Sequence, residues 1–153
     1  MTRVDELEIR PYRAADATEV ARFYGRLSAE GAYTRFLCAG TERRRAYTGD
    51  EDCIVLVAAR GNEIVAVGEC CVSRAHPERA EVAFAVLDSF QHHGLGTRLL
   101  RELRPMARRR GVREFSAQVL MGNEPMMDVF RHSGLRPRVR LRDGLYDVVL
   151  GLE

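Results

Sequence analysis

Lysine and tryptophan are absent from the 153-residue chain, and all 24 of its basic residues are arginines. The arginines are balanced by 22 acidic residues, so the net charge at pH 7 is only +2. A protein that holds nucleic acid by neutralising phosphates usually carries a clear excess of positive charge. The balance of charge therefore argues against a nucleic-acid partner.

Long apolar segments are missing as well. The longest runs, such as residues 54–59, are far too short to cross a bilayer. The first seven residues contain no apolar stretch of the kind that marks a secretory signal peptide. We therefore expect a cytoplasmic protein without a membrane partner.

The four cysteines, Cys38, Cys53, Cys70 and Cys71, do not have the spacing of metal ligands. Adjacent side chains of a strand point to opposite faces, so Cys70 and Cys71 do not suit one metal ion. We expect no metal, and we expect the cysteines to be buried free thiols in a reducing cytosol.

Nothing in the chain is typical of a linker, a repeat or a low-complexity segment, so residues 1–153 are predicted to form a single domain. Hydrophobic periodicity predicts the element order βα(α)βββαβαββ, with Asp16 as the N-cap of the first helix. Residues 28–45 are ambiguous and can open one or two short helices. The predicted strands are 7–10, 53–59, 64–72, 81–87, 115–120, 136–141 and 145–150, and the clearer helices are 16–27, 94–110 and 123–130.

The most informative segment runs from Val86 to Thr97, where a strand ends and Gly94 and Gly96 lead into a helix. Such a turn points several backbone N–H groups at one spot beside the positive end of the helix, which suits a phosphate. The segment lacks the Gly-Lys-Ser/Thr of a P-loop, and Leu99 occupies the last glycine position of the dinucleotide fingerprint. Taken alone, the segment fits a phosphate site or a plain turn.

The sequence from Gln91 to Gly96 resembles the Gln-x-x-Gly-x-Gly acyl-coenzyme A signature of the GNAT superfamily of N-acyltransferases. Asn123 and the helix that carries Phe130 lie where that superfamily has its second conserved segment, and the resemblance extends over nearly the whole chain. It implies an α/β (α+β) GNAT fold, with a mixed sheet of six to seven strands, about four helices and splayed parallel strands at the cofactor site.

Three shorter segments are similar to the catalytic domain of Pat-type protein lysine acetyltransferases. These are Leu27-Ser28-Ala29-Glu30 with Thr34-Arg35-Phe36, Ala80-Glu81-Val82-Ala83-Phe84, and Asn123-Glu124-Pro125-Met126 continuing to Gly134-Leu135. This similarity implies a protein lysine as the acetyl acceptor. Pat-type domains are often fused to a regulatory domain, so in a chain of this length we expect regulation either to come from a partner in trans or to be absent.

The resemblance also implies which residues bind acetyl-CoA. Backbone amides of the glycine turn would hold the pyrophosphate, while the strand before the turn and Asn123 would bind the pantetheine arm. The implied cofactor-binding residues are Phe84, Ala85, Val86, Gln91, His92, His93, Gly94, Leu95, Gly96, Thr97, Asn123 and Phe130. Three alternatives stay open: Asn123 as a plain N-cap, Phe130 as a core residue, and the two histidines as solvated loop residues.

Glu81 lies in an otherwise apolar strand, so it is either a residue of an exposed face or a partly desolvated base. The Pat-like segment around it favours a general base that deprotonates the acceptor ammonium, with Glu69 as the reserve candidate. The family often uses a tyrosine to protonate the leaving thiolate, seven residues after the asparagine. Phe130 stands there, so no general acid is assigned.

Four arginines, Arg136, Arg138, Arg140 and Arg142, alternate with apolar residues near the C-terminus. They form a solvated strand face, a docking surface for an acidic partner, or a contact between copies of the chain.

The predicted function is transfer of an acetyl group from acetyl-CoA to a primary amine, preferably a protein lysine, by direct attack in a ternary complex. No cysteine has a recognisable nucleophile setting, which disfavours a covalent enzyme intermediate. A small amine such as a polyamine or an aminoglycoside is the alternative acceptor. A non-catalytic acyl-CoA-binding regulatory module is the alternative class, and the protein is expected to be a monomer or a homodimer.

Overall fold

A computed structural model describes residues 6–29, 52–91 and 93–152. In these ranges the chain forms seven strands and three α-helices, as the element order predicted. Most of the ambiguous segment 28–45 lies outside the described residues. The elements are β1 (Glu8–Pro11), α1 (Ala17–Ala29), β2 (Cys53–Arg60), β3 (Glu63–Val72), β4 (Arg79–Val86), α2 (Leu95–Arg109), β5 (Glu114–Leu120), α3 (Glu124–Arg131), β6 (Pro137–Arg142) and β7 (Leu145–Gly151).

The strands form one mixed sheet in the order β1-β2-β3-β4-β5-β7-β6. Neighbouring strands are antiparallel except β4 and β5, which flank α2 and are parallel. The parallel pair is short, because it ends where Glu81 lies opposite Ser116. Beyond this point β4 and β5 separate, which opens a gap in the middle of the sheet.

Turn residues set the strand pairing at both ends of the sheet. Gly61 has a φ of 61° in the turn between β2 and β3. Asp143 and Gly144 have φ values of 50° and 78° between β6 and β7, which is the backbone that a tight two-residue hairpin turn requires. Both turns therefore join antiparallel neighbours as hairpins.

Helices cover the two faces of the sheet. Helix α1 packs on one face, where the Tyr24 hydroxyl donates a hydrogen bond of 3.3 Å to Glu69 of β3. Helix α2 packs on the other face, so closely that a Cβ added to Gly68 would lie 3.3 Å from Cβ of Leu99. The predicted apolar face of α2 is buried, and the helix continues through Pro105, which is exposed.

Asp16 does not begin α1 as the sequence predicted, because the short 3-10 turn Ala14–Asp16 precedes the helix. Its carboxylate instead accepts two hydrogen bonds of 2.7 Å from the Arg10 guanidinium and one of 2.8 Å from the backbone N–H of Arg13. The hydrogen bonds from Arg10 lower the pKa of Asp16 to about 2, against the opposing effect of burial. The ion pair therefore ties β1 to the entry of α1.

The expectation of buried free thiols is wrong for Cys53 and Cys71, which form a disulfide. They lie directly opposite each other on β2 and β3, with 4.0 Å between their Cα atoms. Cys70 points to the other face, where it is free, and burial raises the pKa of its thiol to about 12. Cys38 lies outside the described residues. No helix in the described ranges is long and apolar enough to cross a membrane.

The ion pair of Asp16 predicts an acid-dependent loss of stability. Because the folded-state pKa is lowered to about 2, the carboxylate stabilises the fold fully above about pH 4 and loses that contribution as the pH falls through about 2. Asp16→Asn should lower the free energy of unfolding at pH 7 and remove this part of the pH dependence. Urea unfolding between pH 7 and pH 2 tests it, with exposed Asp143→Asn as the control. Parallel curves for wild type and Asp16→Asn would contradict the assignment.

The disulfide can be tested by peptide mapping, since trypsin cuts at Arg45, Arg60 and Arg74 between and around the cysteines. Without reduction, the peptide 46–60 should be linked to the peptide 61–74. Cys71→Ser should abolish this link, whereas Cys70→Ser should keep it. Alkylated Cys53 in the unreduced wild-type digest would show that the pair is not formed.

Candidate active site

A cavity of about 490 Å³ lies beside the gap between β4 and β5. The end of β4, the turn that enters α2, and α3 form its walls. Leu27 of α1 contributes from the other face of the sheet. The described lining residues are Leu27, Ala85, Val86, Phe90, Gln91, Gly94, Leu95, Gly96, Thr97, Arg101, Asn123, Pro125, Met126, Asp128, Val129 and His132.

The glycine turn places the positive end of α2 against this cavity. Gly94 has a φ of 78°, a left-handed conformation that favours glycine, and the helix begins at Leu95. The hydrogen bonds at the start of α2 begin with the N–H of Arg98, which donates to the Gly94 carbonyl at 3.0 Å. The N–H groups of residues 95–97 therefore have no acceptor within the helix, and they suit a phosphate oxygen.

Gln91 connects the turn to the end of β4. Its side-chain amide donates a hydrogen bond of 2.9 Å to the carbonyl of Val86. That carbonyl lies where β4 no longer has β5 beside it, so the glutamine supplies a partner that a strand would otherwise provide. The glutamine of the predicted signature thus fixes the shape of the turn, and it also lines the cavity.

Gly96 lets α2 approach α3. A Cβ at this position would lie 2.7 Å from Cγ2 of Val129, a distance that real Cβ atoms essentially never show. Both residues line the cavity, so their contact sets the width of the site at the positive end of α2. The two glycines of the signature therefore serve different needs: Gly94 provides the backbone conformation and Gly96 provides the close approach.

Asn123 is buried and forms the N-cap of α3, where its side-chain oxygen accepts from the N–H of Met126 at 3.4 Å. The N-cap role that the sequence left open is therefore present. The same residue lines the cavity, so the cap and a contact with a ligand are compatible.

Four other predicted cofactor-binding residues are not among the described lining residues. Phe84 and Phe130 lie in the core, with their rings edge to face and 6.3 Å between centroids, which agrees with the core alternative for Phe130. His93 is exposed, and His92 lies outside the described residues. The described ranges contain no group of three or more potential metal ligands.

Glu81 is half-buried and is the last residue of β4 that pairs with β5. It lies opposite Ser116 on one side and Cys71 on the other, so it shares a sheet face with the disulfide. Glu81 is not among the described lining residues of the cavity. It therefore stands where the sheet begins to open, on the face that carries α1.

Glu69, the reserve candidate, lies on the same sheet face as Glu81, because it is opposite Ala83 and strand side chains alternate with a period of two. It is only 4% exposed and accepts the hydrogen bond from Tyr24 beneath α1. A buried carboxylate is less accessible to an incoming amine than the half-buried Glu81.

Arg101 and His132 line the cavity but were not predicted as site residues. The Arg101 guanidinium donates a hydrogen bond of 3.3 Å to the carbonyl of His132, which joins α2 to α3. Arg101 lies one helical turn beyond Thr97, so helical spacing from the glycine turn is a signal that could have identified it. His132 becomes part of the site only through the packing of α3 on α2.

The sequence profile of the acetyltransferase (GNAT) family matches residues 15–135. The chain belongs to this family. The GNAT domain of S. lividans PAT is similar over 95% of this chain and 90% of that chain, with 30% identity and a TM-score of 0.78. The GNAT fold predicted from the sequence is confirmed, and family membership makes the chain an acyl-CoA-dependent N-acyltransferase.

Two further structures share the GNAT fold. The yncA protein of Salmonella typhimurium, solved with its cofactor acetyl-CoA, has 19% identity and a TM-score of 0.72, and the match covers 97% of this chain and 95% of that chain. A cAMP-binding acyltransferase from Mycobacterium smegmatis has 22% identity and a TM-score of 0.65. That match covers 96% of this chain and 44% of the longer one.

The contact between the two helices of this GNAT domain predicts the effect of a single methyl group. Gly96→Ala should push α3 from α2, lower the affinity for acetyl-CoA and destabilise the fold by about 1–3 kcal/mol, as overpacking does. Val129→Ala in the same chain should restore part of both, because it removes the atom that the new Cβ meets. Calorimetric titration and thermal unfolding test both variants. Unchanged affinity in Gly96→Ala would contradict the role of this contact.

Proposed function

We propose that this GNAT enzyme transfers an acetyl group from acetyl-CoA to a primary amine, with a protein lysine as the preferred acceptor. The observation that carries the proposal is the separation of β4 and β5 directly after Glu81, beside a cavity that begins at the glycine turn. The 30% sequence identity with the GNAT domain of S. lividans PAT and the Pat-like sequence segments support a protein lysine as the acceptor.

The residues around the cavity fit an acyl-CoA molecule. The N–H groups of residues 95–97, which have no acceptor within the helix, suit the pyrophosphate, since an anion at a helix N-terminus is stabilised by the helix dipole. The edge of β4 at Ala85 and Val86 and the cap residue Asn123 line the same cavity and would hold the pantetheine arm. When bound, the thioester supplies an activated acetyl group at the gap in the sheet.

Glu81 is the proposed general base. An amine must lose a proton before it attacks a carbonyl, and the half-buried carboxylate accepts that proton directly or through a water molecule. The amine nitrogen then forms a bond to the acetyl carbon and releases its second proton to solvent, and the bond between that carbon and sulfur breaks. The acceptor leaves as an acetamide and coenzyme A as a thiolate.

The thiolate takes its proton from solvent in this proposal. Phe130, at the position where the family often has a tyrosine, has no proton to donate and is buried in the core. Coenzyme A is a tolerable leaving group as a thiolate, so the reaction proceeds without a dedicated acid.

The cytoplasmic location and the oligomeric state stay predictions. The disulfide of Cys53 bears on the location, since stable disulfides are rare in reducing compartments.

The proposed base predicts a selective loss of turnover. Glu81→Gln should lower kcat about 100-fold or more, the range of general-base catalysis, while the Kd for acetyl-CoA stays the same. The measurement is thiol release from acetyl-CoA with a panel of lysine peptides, polyamines and aminoglycosides, with Glu102→Gln on the exposed side of α2 as the control. If the wild type binds acetyl-CoA but no acceptor gives turnover above that of Glu81→Gln, the chain is a binding module. Faster turnover with a small amine than with any peptide would show that a small amine, and not a protein lysine, is the preferred acceptor.

A further inference from the structure

The strand register puts a row of arginines on the same sheet face as Glu81. Glu81 lies opposite Ser116 of β5, which lies opposite Val149 of β7, which in turn lies opposite Arg138 of β6. Residues directly opposite one another point to the same face, and side chains alternate with a period of two. Arg138, Arg140 and Arg142 therefore share the face of the proposed base. We call these three residues the arginine row.

The sheet surface between Glu81 and the arginine row is open. On β5 and β7, the residues of this face are half-exposed, whereas those of the opposite face are buried in the core. The half-exposed residues are Ser116, Gln118, Asp147 and Val149, and the buried ones are Ala117, Val119, Val148 and Leu150. An extended acceptor segment can therefore lie across these strands.

The open face carries more positive than negative charge near β6. The Arg138 guanidinium lies 3.2 Å from the Glu114 carboxylate, which also forms an ion pair with Arg79. The Arg142 guanidinium lies 3.3 Å from the Asp147 carboxylate. Arg140 is exposed and forms no ion pair with any residue that the structure describes. Asp147 is also directly opposite Arg140, so the three guanidinium groups of the row share two carboxylates, and an incoming carboxylate would meet a net positive charge.

The spacing of the strands sets the distance between base and arginines. Three strand-to-strand steps of about 4.8 Å separate Glu81 from Arg138, which amounts to about 14 Å. An extended peptide covers about 3.3 Å per residue, so Arg138, the member of the row in line with Glu81, lies about four residues along the acceptor from the lysine.

We propose that the arginine row selects acceptor segments that carry aspartate or glutamate about four residues from the acetylated lysine. This inference rests on the proposed function, because it assigns a substrate class to the same site. It also chooses among the three alternatives for the row, since a merely solvated face or a contact between copies would not discriminate between acceptors.

Matched peptides test this inference. Each peptide has one central lysine and a blocked N-terminus. On each side of the lysine, three to five residues away, one peptide carries two aspartates and the matched peptide carries two asparagines. The wild type should favour the aspartate peptide by about fivefold in kcat/KM, mainly through KM, as expected for exposed ion pairs. The preference should fall as salt rises, because exposed charges are screened. Arg138→Gln with Arg140→Gln should remove it, and Arg109→Gln at the end of α2 should keep it.

A binding measurement keeps this inference separate from the proposed function. Calorimetry with protein saturated with coenzyme A should show tighter binding of the aspartate peptide even if neither peptide is acetylated, and that outcome would reject only the lysine acceptor. Equal binding and equal kcat/KM for the two peptides would overturn the inference. A preference for the aspartate peptide that survives in the double variant would overturn it as well. The inference would also be overturned if the double variant kept the preference of the wild type and differed from it only in the mass of the assembly measured by light scattering.

Discussion

The separation of β4 and β5 after Glu81 is the constraint on which the rest of the site depends. Backbone groups inside a protein need hydrogen-bond partners, and a strand that loses its neighbour must find others. In this chain the Gln91 side chain donates a hydrogen bond to the carbonyl of Val86, and the cavity lies beside the gap. The fold therefore holds open the edge of a strand to which an extended pantetheine arm can bind.

The two faces of the sheet beside the gap carry different parts of the proposed site. Helices α2 and α3 meet through Gly96 on one face and form the end of the cavity at which we propose that the phosphates bind. The other face carries α1, Glu81, the disulfide of Cys71 and the arginine row. A thioester bound from the first face and an amine bound on the second would meet in the gap, which suits direct transfer without a covalent enzyme intermediate.

Local patterns predicted the element order and the glycine turn, because hydrophobic periodicity and turn residues act within a few residues of the chain, and the resemblance to the GNAT superfamily implied the fold. What the sequence did not predict depends on register or tertiary packing. The disulfide of Cys53 requires the exact pairing of β2 with β3, the Asp16 ion pair requires the approach of β1 to α1, and His132 lines the cavity only because α3 packs on α2. Because the chain contains no lysine, the permanently charged basic side chains available to a phosphate or a substrate carboxylate are all guanidinium groups.

Amide hydrogen exchange followed by NMR, with and without coenzyme A, tests the central claim most directly. The account predicts that coenzyme A slows exchange at residues 84–86 along the edge of β4 and at residues 94–97 in the glycine turn, and leaves β6 unchanged. Protection confined to other elements, or none at saturating coenzyme A, would contradict the assignment of the gap and the turn as the acyl-CoA site.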